Sequence, residues 1–494
     1  MQNGTLLAAV DLGSNSYRLE IGRVDHGQIP RTEYLKETVR QGNGLDEARN
    51  LTAEAMQRGW DCLARFGERL AALPKAQVRA VATQTLREAR NRDTFLARAH
   101  TILGFPIDVI SGREEARLIY QGVAHLLPQS DERRLVVDIG GRSTELILGQ
   151  RFTANVTESY RVGSVAWSMK HFADGQFTEG AFARAEVAAK AVLDEALGAY
   201  RPGDWDVAYG ASGTIGAVAD VLGAAGHTPG IIDRAGLAWL HERLLAARSA
   251  DKLRLDGIKD DRRAVIGGGV SVLQAVFDLL EIEQLQAAQG ALRHGLLYDL
   301  LEREHSETDI RSTTVQRLAT RFGVDQPQAL RVGKVAGLLL RQLRSKDSPV
   351  ELDRLLRKLG WAAQLHEIGS GISHSDYHKH GAYILDNADA PGFAQPELHR
   401  LSLLVLGHRG KLRKLEADFE DELFVQQLLC LRLAVILCHA RRDPDLKAMQ
   451  LRGDGHVVTL ALRSDWSHAW PQSAHLLREE VIAWQKTPWI LALA

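Results

Sequence analysis

Apolar positions follow two spacings along the chain, and the pattern changes near residue 306. Before this point, short apolar runs predict strands at residues 6–10, 78–82, 107–110, 135–137 and 205–209, and helical spacing predicts helices at residues 52–73, 93–103 and 182–200. Beyond it, the pattern is helical to about residue 442, with one alternating strand at residues 457–462. This order indicates α/β domains followed by an all-α domain.

A length of 494 residues indicates several domains, since one domain averages about 100–200 residues. We predict α/β domains at residues 1–118 and 119–304, an all-α domain at residues 305–446 and a small α+β segment at residues 447–494. The charged, weakly apolar stretch at residues 304–308 is the predicted linker.

One hairpin sequence occurs twice. The segment VDLGSNS at residues 10–16 matches VDIGGRS at residues 137–143, and the match continues into the strands that follow. In each copy a strand ends in Asp, and a turn of small residues follows. Such a turn leaves N–H groups free to bind an anion, and Gly permits the positive φ angles expected there. Asp11 and Asp138 could hold a divalent cation. Two facing copies predict a phosphate clamp around a metal, whereas one copy alone is typical of an ordinary hairpin.

A helix start between the two hairpins supplies a candidate general base. Ser111 and Glu114 have the spacing of a capping box, which leaves Glu115 in the first helical turn. A carboxylate there could orient and deprotonate a water molecule. The alternative is a solvated glutamate that only stabilises the helix. Glu145 could bind a metal, and its counterpart in the first hairpin, Arg18, could bind a phosphate. The alternative is that both side chains point to solvent.

Two further segments follow predicted strands, where ligand contacts gather in α/β sheets. Arg87 is the preferred phosphate contact after the strand at residues 78–82. The predicted turn at residues 210–214 offers Ser212, Gly213 and Thr214 as anion donors, or it simply reverses the chain. It does not match the G-x-S-x-G pattern of a nucleophilic serine.

The helical part contains a run of histidines and cations. The segment LHEIG at residues 365–369 resembles the metal-binding helix of HD-type phosphohydrolases, except that Glu replaces their Asp. The histidines are His366, His374, His378, His380, His399, His408 and His439. The cations are Lys379, Arg409, Lys411, Arg413, Lys414, Arg441 and Arg442, which either hold a polyphosphate chain or form solvated helix faces.

Composition excludes some classes of protein. No apolar run reaches the roughly 18 residues of a membrane span, and the N-terminus lacks the basic start of a signal peptide, so we expect a cytoplasmic protein. Cys62, Cys430 and Cys438 form no C-x-x-C pair and are expected to be core residues. A net charge of −1 gives no general attraction for nucleic acid, so a phosphate-rich substrate requires local cations.

Several segments together resemble the exopolyphosphatase and guanosine pentaphosphate (pppGpp) phosphohydrolase family, within the actin, sugar-kinase and Hsp70-like superfamily. They are AVDLGSNSYRLEIG (9–22), VATQTLREARN (81–91), VISGREEARLIYQGVAH (109–125), LVVDIGGRSTELILG (135–149), GASGT (210–214) and GALRHGLLYDLL (290–301). The resemblance implies two actin-like (ribonuclease H-like) α/β domains facing a cleft, and an all-α HD-like domain with a small α+β tail.

The resemblance also implies roles for individual residues. Glu115 is expected to activate the attacking water, with Glu145 beside it, and Asp11, Asp138 and Glu145 to bind Mg²⁺ or Mn²⁺. The implied phosphate-binding residues are Asp11, Gly13, Ser14, Asn15, Ser16, Arg18, Arg87, Gly140, Gly141, Arg142, Ser143, Gly210, Ser212, Gly213, Thr214 and Arg262. Water is expected to remove the terminal phosphate of polyphosphate or pppGpp without a phosphoenzyme.

Arg142 departs from the family's GGGST loop, and we expect it to add a cation to the phosphate cradle. Arg18 resembles the pppGpp-hydrolysing type, and Arg262 could join it on the nucleotide's phosphates. The helical extension suits a long polyanion, so we favour exopolyphosphatase activity with pppGpp as a second substrate over a dedicated pppGpp hydrolase. A superfamily kinase and a non-hydrolytic alarmone sensor are less favoured functions. A homodimer is expected because two-fold dimers are the commonest assembly.

Overall fold

A computed structural model describes residues 2–128, 130–303, 309–463 and 465–494. The chain forms two compact units, residues 1–308 and residues 309–494. Within the described residues, the first unit contains a five-stranded and a six-stranded sheet, and the second contains a three-stranded sheet. The predicted linker at residues 304–308 lies outside the described residues.

The first sheet has the strand order β3-β2-β1-β4-β5. Its strands are β1 (Leu6–Leu12), β2 (Tyr17–Arg23), β3 (Arg31–Glu37), β4 (Val78–Ala82) and β5 (Ile107–Val109). The helices of this part are α1 (Ala53–Leu70), α2 (Gln84–Glu88), α3 (Arg92–Leu103) and α4 (Gly112–Leu126). Strand β1 is central and almost wholly buried, which explains its near-continuous apolar sequence.

The second sheet has the order β10-β11-β9-β6-β7-β8. Its strands are β6 (Arg133–Ile139), β7 (Thr144–Gln150), β8 (Thr153–Tyr160), β9 (Val207–Ala211), β10 (Ile231–Asp233) and β11 (Gln284–Ala287). The accompanying helices are α5 (Ser164–His171), α6 (Glu179–Leu193), α7 (Ser212–Ala224), α8 (Arg234–Ala247), α9 (Asp260–Arg263), α10 (Ile266–Leu279) and α11 (Leu292–Arg303).

The two sheets repeat one topology, which confirms the duplication. In each, an antiparallel hairpin leads to a third antiparallel strand, and the first strand pairs in parallel with a later one. Asp11 lies opposite Arg18 in the first hairpin, and Asp138 lies opposite Glu145 in the second. The two α/β sheets of the first unit and the mainly helical second unit confirm the predicted fold class of α/β structure followed by an all-α part.

Helices α4 and α11 pack with their backbones in close contact. A Cβ on Gly122 would lie 2.7 Å from the amide nitrogen of Gly295, and a Cβ on Gly295 would lie 2.6 Å from the carbonyl carbon of Leu118. Only glycine permits this approach. Helix α4 runs unbroken through residue 118, where we predicted a domain boundary, and the four-domain division stays a prediction.

A buried ion cluster ties these helices to the first sheet. Asp299 of α11 accepts hydrogen bonds from Arg79 of β4, from Arg117 of α4 at 2.5 Å and from Arg303 at 2.5 Å. Arg117 also donates to both carboxylate oxygens of Glu114 at 2.8 Å. Burial raises the pKa of Asp299, but Arg303, Arg79 and Arg117 outweigh it and hold that pKa well below its usual range.

The second unit is mainly helical. Its helices are α12 (Ile310–Arg321), α13 (Gln326–Leu343), α14 (Pro349–Leu365), α15 (Tyr377–Asn387), α16 (Gln395–Gly407), α17 (Glu422–Leu437), α18 (Trp466–Ala469) and α19 (Pro471–Trp484). Its strands are β12 (Met449–Asp454), β13 (Val457–Leu462) and β14 (Ile490–Leu493), of which we predicted only β13. Across the described parts of the chain, no helix combines the length and the apolar character needed to cross a bilayer.

The segment at residues 210–214 is not the turn that we predicted. Gly210 and Ala211 end β9, and Ser212 begins α7 directly. Ser212 has a φ of 95°, which is unusual for a residue with a side chain. The segment is a strand-to-helix junction, because the parallel strand must connect to a helix that covers the sheet.

We predict that Asp299→Ala lowers the free energy of unfolding by about 3–5 kcal/mol, because it leaves buried guanidinium groups without their shared carboxylate. Urea denaturation followed by circular dichroism measures the loss. Asp131→Ala, which breaks an exposed pair with Arg151, is the control and should shift the midpoint far less. Equal shifts for the two variants would contradict the prediction.

Candidate active site

A cleft of about 400 Å³ opens between the two sheets of the first unit. Its size lies within the range of ~300–1,000 Å³ typical of small-molecule sites. The predicted site residues that line it are Asp11, Gly13, Ser14, Asn15, Ser16, Arg18, Glu115, Asp138, Gly140, Gly141, Ser143, Ser212, Gly213, Thr214 and Arg262. The predicted residues outside the lining are Arg87, Arg142, Glu145 and Gly210.

The two hairpin loops face each other across this cleft. A Cβ on Gly141 would lie 3.2 Å from the Cβ of Ser14, so the loops nearly touch. The expected positive φ angles do not occur at Gly13, Gly140 or Gly141. A Cβ on Gly13 would instead lie 2.9 Å from the carbonyl oxygen of Ser16, so close backbone approach is the reason for glycine there.

The first loop carries polar atoms whose hydrogen-bonding capacity is unused. Among the described residues, Asn15 Nδ2 and Ser16 Oγ are buried without a hydrogen-bond partner. Ser14 Oγ accepts a hydrogen bond from Thr85 at 2.8 Å, which fixes the loop against the first sheet. Unsatisfied buried donors are costly, and an anion in the cleft would supply their acceptor.

Glu115 is buried in the first turn of α4 and lines the cleft, so the alternative of a solvated glutamate is wrong. Ser111 Oγ accepts the Glu114 amide at 3.1 Å, which caps this helix as predicted. Arg87 Nη1 donates to Glu115 Oε2 at 2.7 Å and to the carbonyl oxygen of Ile110 at 3.0 Å. Burial raises the pKa of Glu115, and the Arg87 guanidinium opposes that shift.

The position of Arg87 is a correction to the predicted phosphate contact. Its guanidinium is held by Glu115, by Ile110 and by Gln84, and it lies outside the cleft lining. Sequence reasoning placed Arg87 at the correct strand end but could not show that a carboxylate from α4 already occupies its donors. Arg87 therefore contacts the candidate base, Glu115, and not the cleft.

Glu145 is also buried, which excludes the solvent-facing alternative. Its carboxylate accepts a hydrogen bond from Ser159 Oγ at 2.8 Å and lies behind the cleft lining. Burial raises the pKa of Glu145 well above its usual value, and the charges of Glu115 and Asp138 raise it further. Burial likewise raises the pKa of Asp138 to about 7, with Glu115 adding to the shift.

The carboxylates fit a divalent cation by their chemistry. Within the described residues, neither Asp138 nor Glu145 forms an ion pair, and no three carboxylate, His or Cys side chains converge as a complete ligand set. Mg²⁺ commonly binds one or two carboxylates together with water and substrate phosphate, so a partial set of oxygen ligands suits it. A cation would also relieve the repulsion that raises these pKa values.

Arg142 does not supply the predicted cation to the cleft. Its guanidinium donates to Glu88 at 3.1 Å and to the carbonyl oxygen of Gly42 at 3.1 Å, and it lies outside the lining. Its backbone φ is not positive, so a side chain is tolerated where the family loop has glycine. Arg142 therefore ties the second loop to α2 and to the turn at residues 41–44.

Cations line another part of the cleft. Arg18 Nη1 lies 3.3 Å from Asp11 Oδ2, and a Cβ on Gly213 would lie 2.8 Å from the Arg262 Cζ. Sequence reasoning missed Lys36, Lys259 and Arg293. Arg293 follows β11 within the GALRHG segment, a strand-end signal like the one used for Arg87, whereas Lys36 and Lys259 carry no local signal.

The histidines of the second unit cluster without forming a metal site. The rings of His366 and His408 are 5.3 Å apart, and those of His378 and His408 are 6.3 Å apart. Among the residues that the structure describes, no three metal-binding side chains converge there. The nearby predicted cations are all exposed, as the alternative of solvated helix faces expects.

Two family models match this chain. The model described as Ppx/GppA phosphatase family matches residues 21–304, and the one described as Ppx/GppA phosphatase, domain III, matches residues 310–481. The chain belongs to the Ppx/GppA phosphatase family. Together the two matches cover most of both compact units, so the family likeness extends to the helical part.

Two relatives that match nearly the whole chain are both named guanosine-5'-triphosphate,3'-diphosphate pyrophosphatase. One from Vibrio atlanticus is 41% identical, covering 93% of this chain and 92% of its own. Another from Pseudoalteromonas translucida is 39% identical, covering 98% of this chain and 97% of its own. The name of these relatives corresponds to the dedicated pppGpp hydrolase, the alternative to the exopolyphosphatase activity that we expected from the sequence.

Solved structures resemble part of the chain. An exopolyphosphatase-like protein is 27% identical with a TM-score of 0.54, covering 60% of this chain and 98% of its own. The Aquifex aeolicus PPX-GPPA enzyme is 24% identical with a TM-score of 0.51, covering 60% of this chain and 99% of its own. The similarity to the Aquifex aeolicus enzyme shows a shared fold and nothing about function.

The buried histidines predict acid sensitivity. Burial lowers the pKa of His366 and of His408, so the unfolded chain binds more protons below about pH 6.5. Stability is therefore fully present above about pH 6.5 and is lost as the pH falls. Each such proton contributes up to about 1.4 kcal/mol per pH unit.

We expect His408→Phe to lose less stability than the wild type between pH 7.5 and pH 5.5. The variant lacks one of the two histidines that bind a proton more readily in the unfolded chain than in the folded protein. Urea midpoints at both pH values measure the difference. A variant that replaces an exposed ring, His475→Phe, is the control and should keep the wild-type pH dependence. The same pH dependence in all three proteins would contradict the assignment.

Proposed function

We propose that this protein hydrolyses the 5'-terminal phosphoanhydride of pppGpp, releasing orthophosphate and ppGpp. The observation that carries the proposal is the buried Glu115, fixed by Arg87 in a cleft between two facing phosphate-type loops. The names of full-length relatives support the substrate, and Arg18 and Arg262 in the same cleft supply cations for a nucleotide's phosphates.

The chemistry follows from the placement of the side chains. The loops bind the terminal phosphoryl group through Asn15, Ser16 and backbone N–H groups, and exclude bulk water from it. Glu115 takes a proton from a water molecule as the water oxygen bonds to the terminal phosphorus. The bond to the bridging oxygen breaks, and ppGpp leaves with that electron pair.

Arg87 keeps the base competent. Burial favours a protonated Glu115, which could not accept a proton, whereas the guanidinium at 2.7 Å favours the carboxylate. Asp11, Asp138 and Glu145 are the residues that would hold Mg²⁺ or Mn²⁺ behind the phosphoryl group. When bound, the metal supplies charge compensation for the phosphate oxygens.

Polyphosphate is a second candidate substrate, and the resemblance to an exopolyphosphatase-like structure favours it. The loops contact only the terminal phosphoryl group, so they do not discriminate between the two substrates. A preference must come from the part of the cleft beyond the loops. A second activity on polyphosphate therefore requires no change in the mechanism.

We expect Glu115→Gln to lower kcat for phosphate release from pppGpp by about 10² or more, because the amide cannot accept the proton of water. The KM should change little, since Glu115 does not hold the phosphate chain. Steady-state phosphate release measures both constants. Glu47→Gln, at an exposed position, is the matched control. An unchanged kcat in Glu115→Gln would assign the base to another residue.

Metal removal gives a separate test. A chelator should abolish phosphate release, and added Mg²⁺ should restore it, because the buried carboxylates would otherwise repel the substrate. Asp138→Asn should require more Mg²⁺ for half-maximal activity. Full activity in chelator would rule out the metal, and tight pppGpp binding without any phosphate release would favour a non-hydrolytic sensor.

A further inference from the structure

One face of helix α7 lines the cleft over two turns. Gly213, Gly216, Ala217 and Asp220 all contribute to the lining. Their spacing of three, four and seven residues places them on one side of the helix. With a rise of 1.5 Å per residue, Asp220 lies about 10 Å along the axis from Gly213.

Asp220 is an acid that phosphate binding does not explain. Asp220 is an exposed residue of the cleft lining, and its carboxylate forms no hydrogen bond or ion pair with any residue that the structure describes. Lys259 and Arg262 line the same cleft. Asp11, Asp138 and Glu115 lie at the loops and have roles with metal and water. A further carboxylate on this wall would only repel a polyphosphate chain.

Guanine is the group that such a carboxylate recognises. Its N1–H and its exocyclic amino group point the same way and donate to both oxygens of one carboxylate. Adenine offers one donor beside an acceptor on the same edge, and polyphosphate offers no donor. A Cβ on Gly216 would have no atom within 4 Å, so the cleft beside this part of α7 has open space for a purine ring.

We propose that Asp220 is the specificity-determining residue that binds the guanine edge of the substrate. This inference rests on the proposed function and deepens it by separating the two substrates. The separation of about 10 Å between Gly213 and Asp220 matches a molecule whose phosphates occupy the loops while its base extends along α7. Asp220 acts in binding and has no contact with the reacting phosphorus.

The first experiment compares pppGpp with tripolyphosphate, which has no base. Asp220→Ala should raise the KM for pppGpp at least about tenfold, the effect of losing charge-assisted hydrogen bonds. The kcat for pppGpp should stay at the wild-type value, and the KM for tripolyphosphate should stay the same or fall, because the variant removes a negative charge from the cleft. Asp194→Ala, at an exposed position outside the cleft, is the control and should change neither substrate.

The second experiment exchanges the base. Asp220→Asn presents one acceptor and one donor, which suits xanthine because xanthine has a carbonyl in place of the guanine amino group. The variant should bind the xanthosine analogue of pppGpp more tightly than pppGpp, reversing the wild-type order. Equilibrium binding in a Glu115→Gln background with Mg²⁺ present measures this preference while hydrolysis is slow.

The outcomes separate this inference from the proposed function. An unchanged KM for pppGpp in Asp220→Ala, or an equal rise for both substrates, would overturn the role of Asp220. An unchanged base preference in Asp220→Asn would do the same. If the wild type releases no phosphate from either substrate, the proposed hydrolase fails, while the binding measurement still decides whether Asp220 reads guanine.

Discussion

Burying several carboxylates in one cleft is the constraint that organises this protein. Glu115, Asp138 and Glu145 are all removed from water, and each raises the free energy of ionising its neighbours. Arg87 compensates Glu115 directly. Asp138 and Glu145 have no such partner among the described residues. A bound metal ion would compensate their negative charge.

Such a site requires a rigid support, and the contact between α4 and α11 provides it. The glycines at residues 122 and 295 bring the two helix backbones together, and Asp299 joins Arg117 of α4 to Arg79 of the first sheet. The candidate base therefore sits on a helix whose position is fixed both by packing and by buried ion pairs. A site placed on rigid elements keeps its geometry without substrate.

The rest of the cleft divides into regions with different tasks. The paired loops and carboxylates form an end suited to the terminal phosphoryl group, with Arg18 beside Asp11 at its edge. The other part of the lining contains Lys259, Arg262 and α7. We propose that it contacts the rest of the substrate. In the proposed mechanism, hydrolysis depends on the first region and substrate choice on the second.

Local sequence was sufficient for the repeat, for most strands and for the loop residues, because strand periodicity and a turn of small residues are properties of neighbouring positions. The repeat also aligned Arg18 with Glu145, and the structure then placed them opposite Asp11 and Asp138. The partners of Arg87 and Arg142, the burial of Glu115 and the place of Asp220 were decided only in the tertiary structure. These depend on contacts between residues distant in the chain, and a guanidinium binds whichever carboxylate the fold brings to it, a choice that no local pattern encodes.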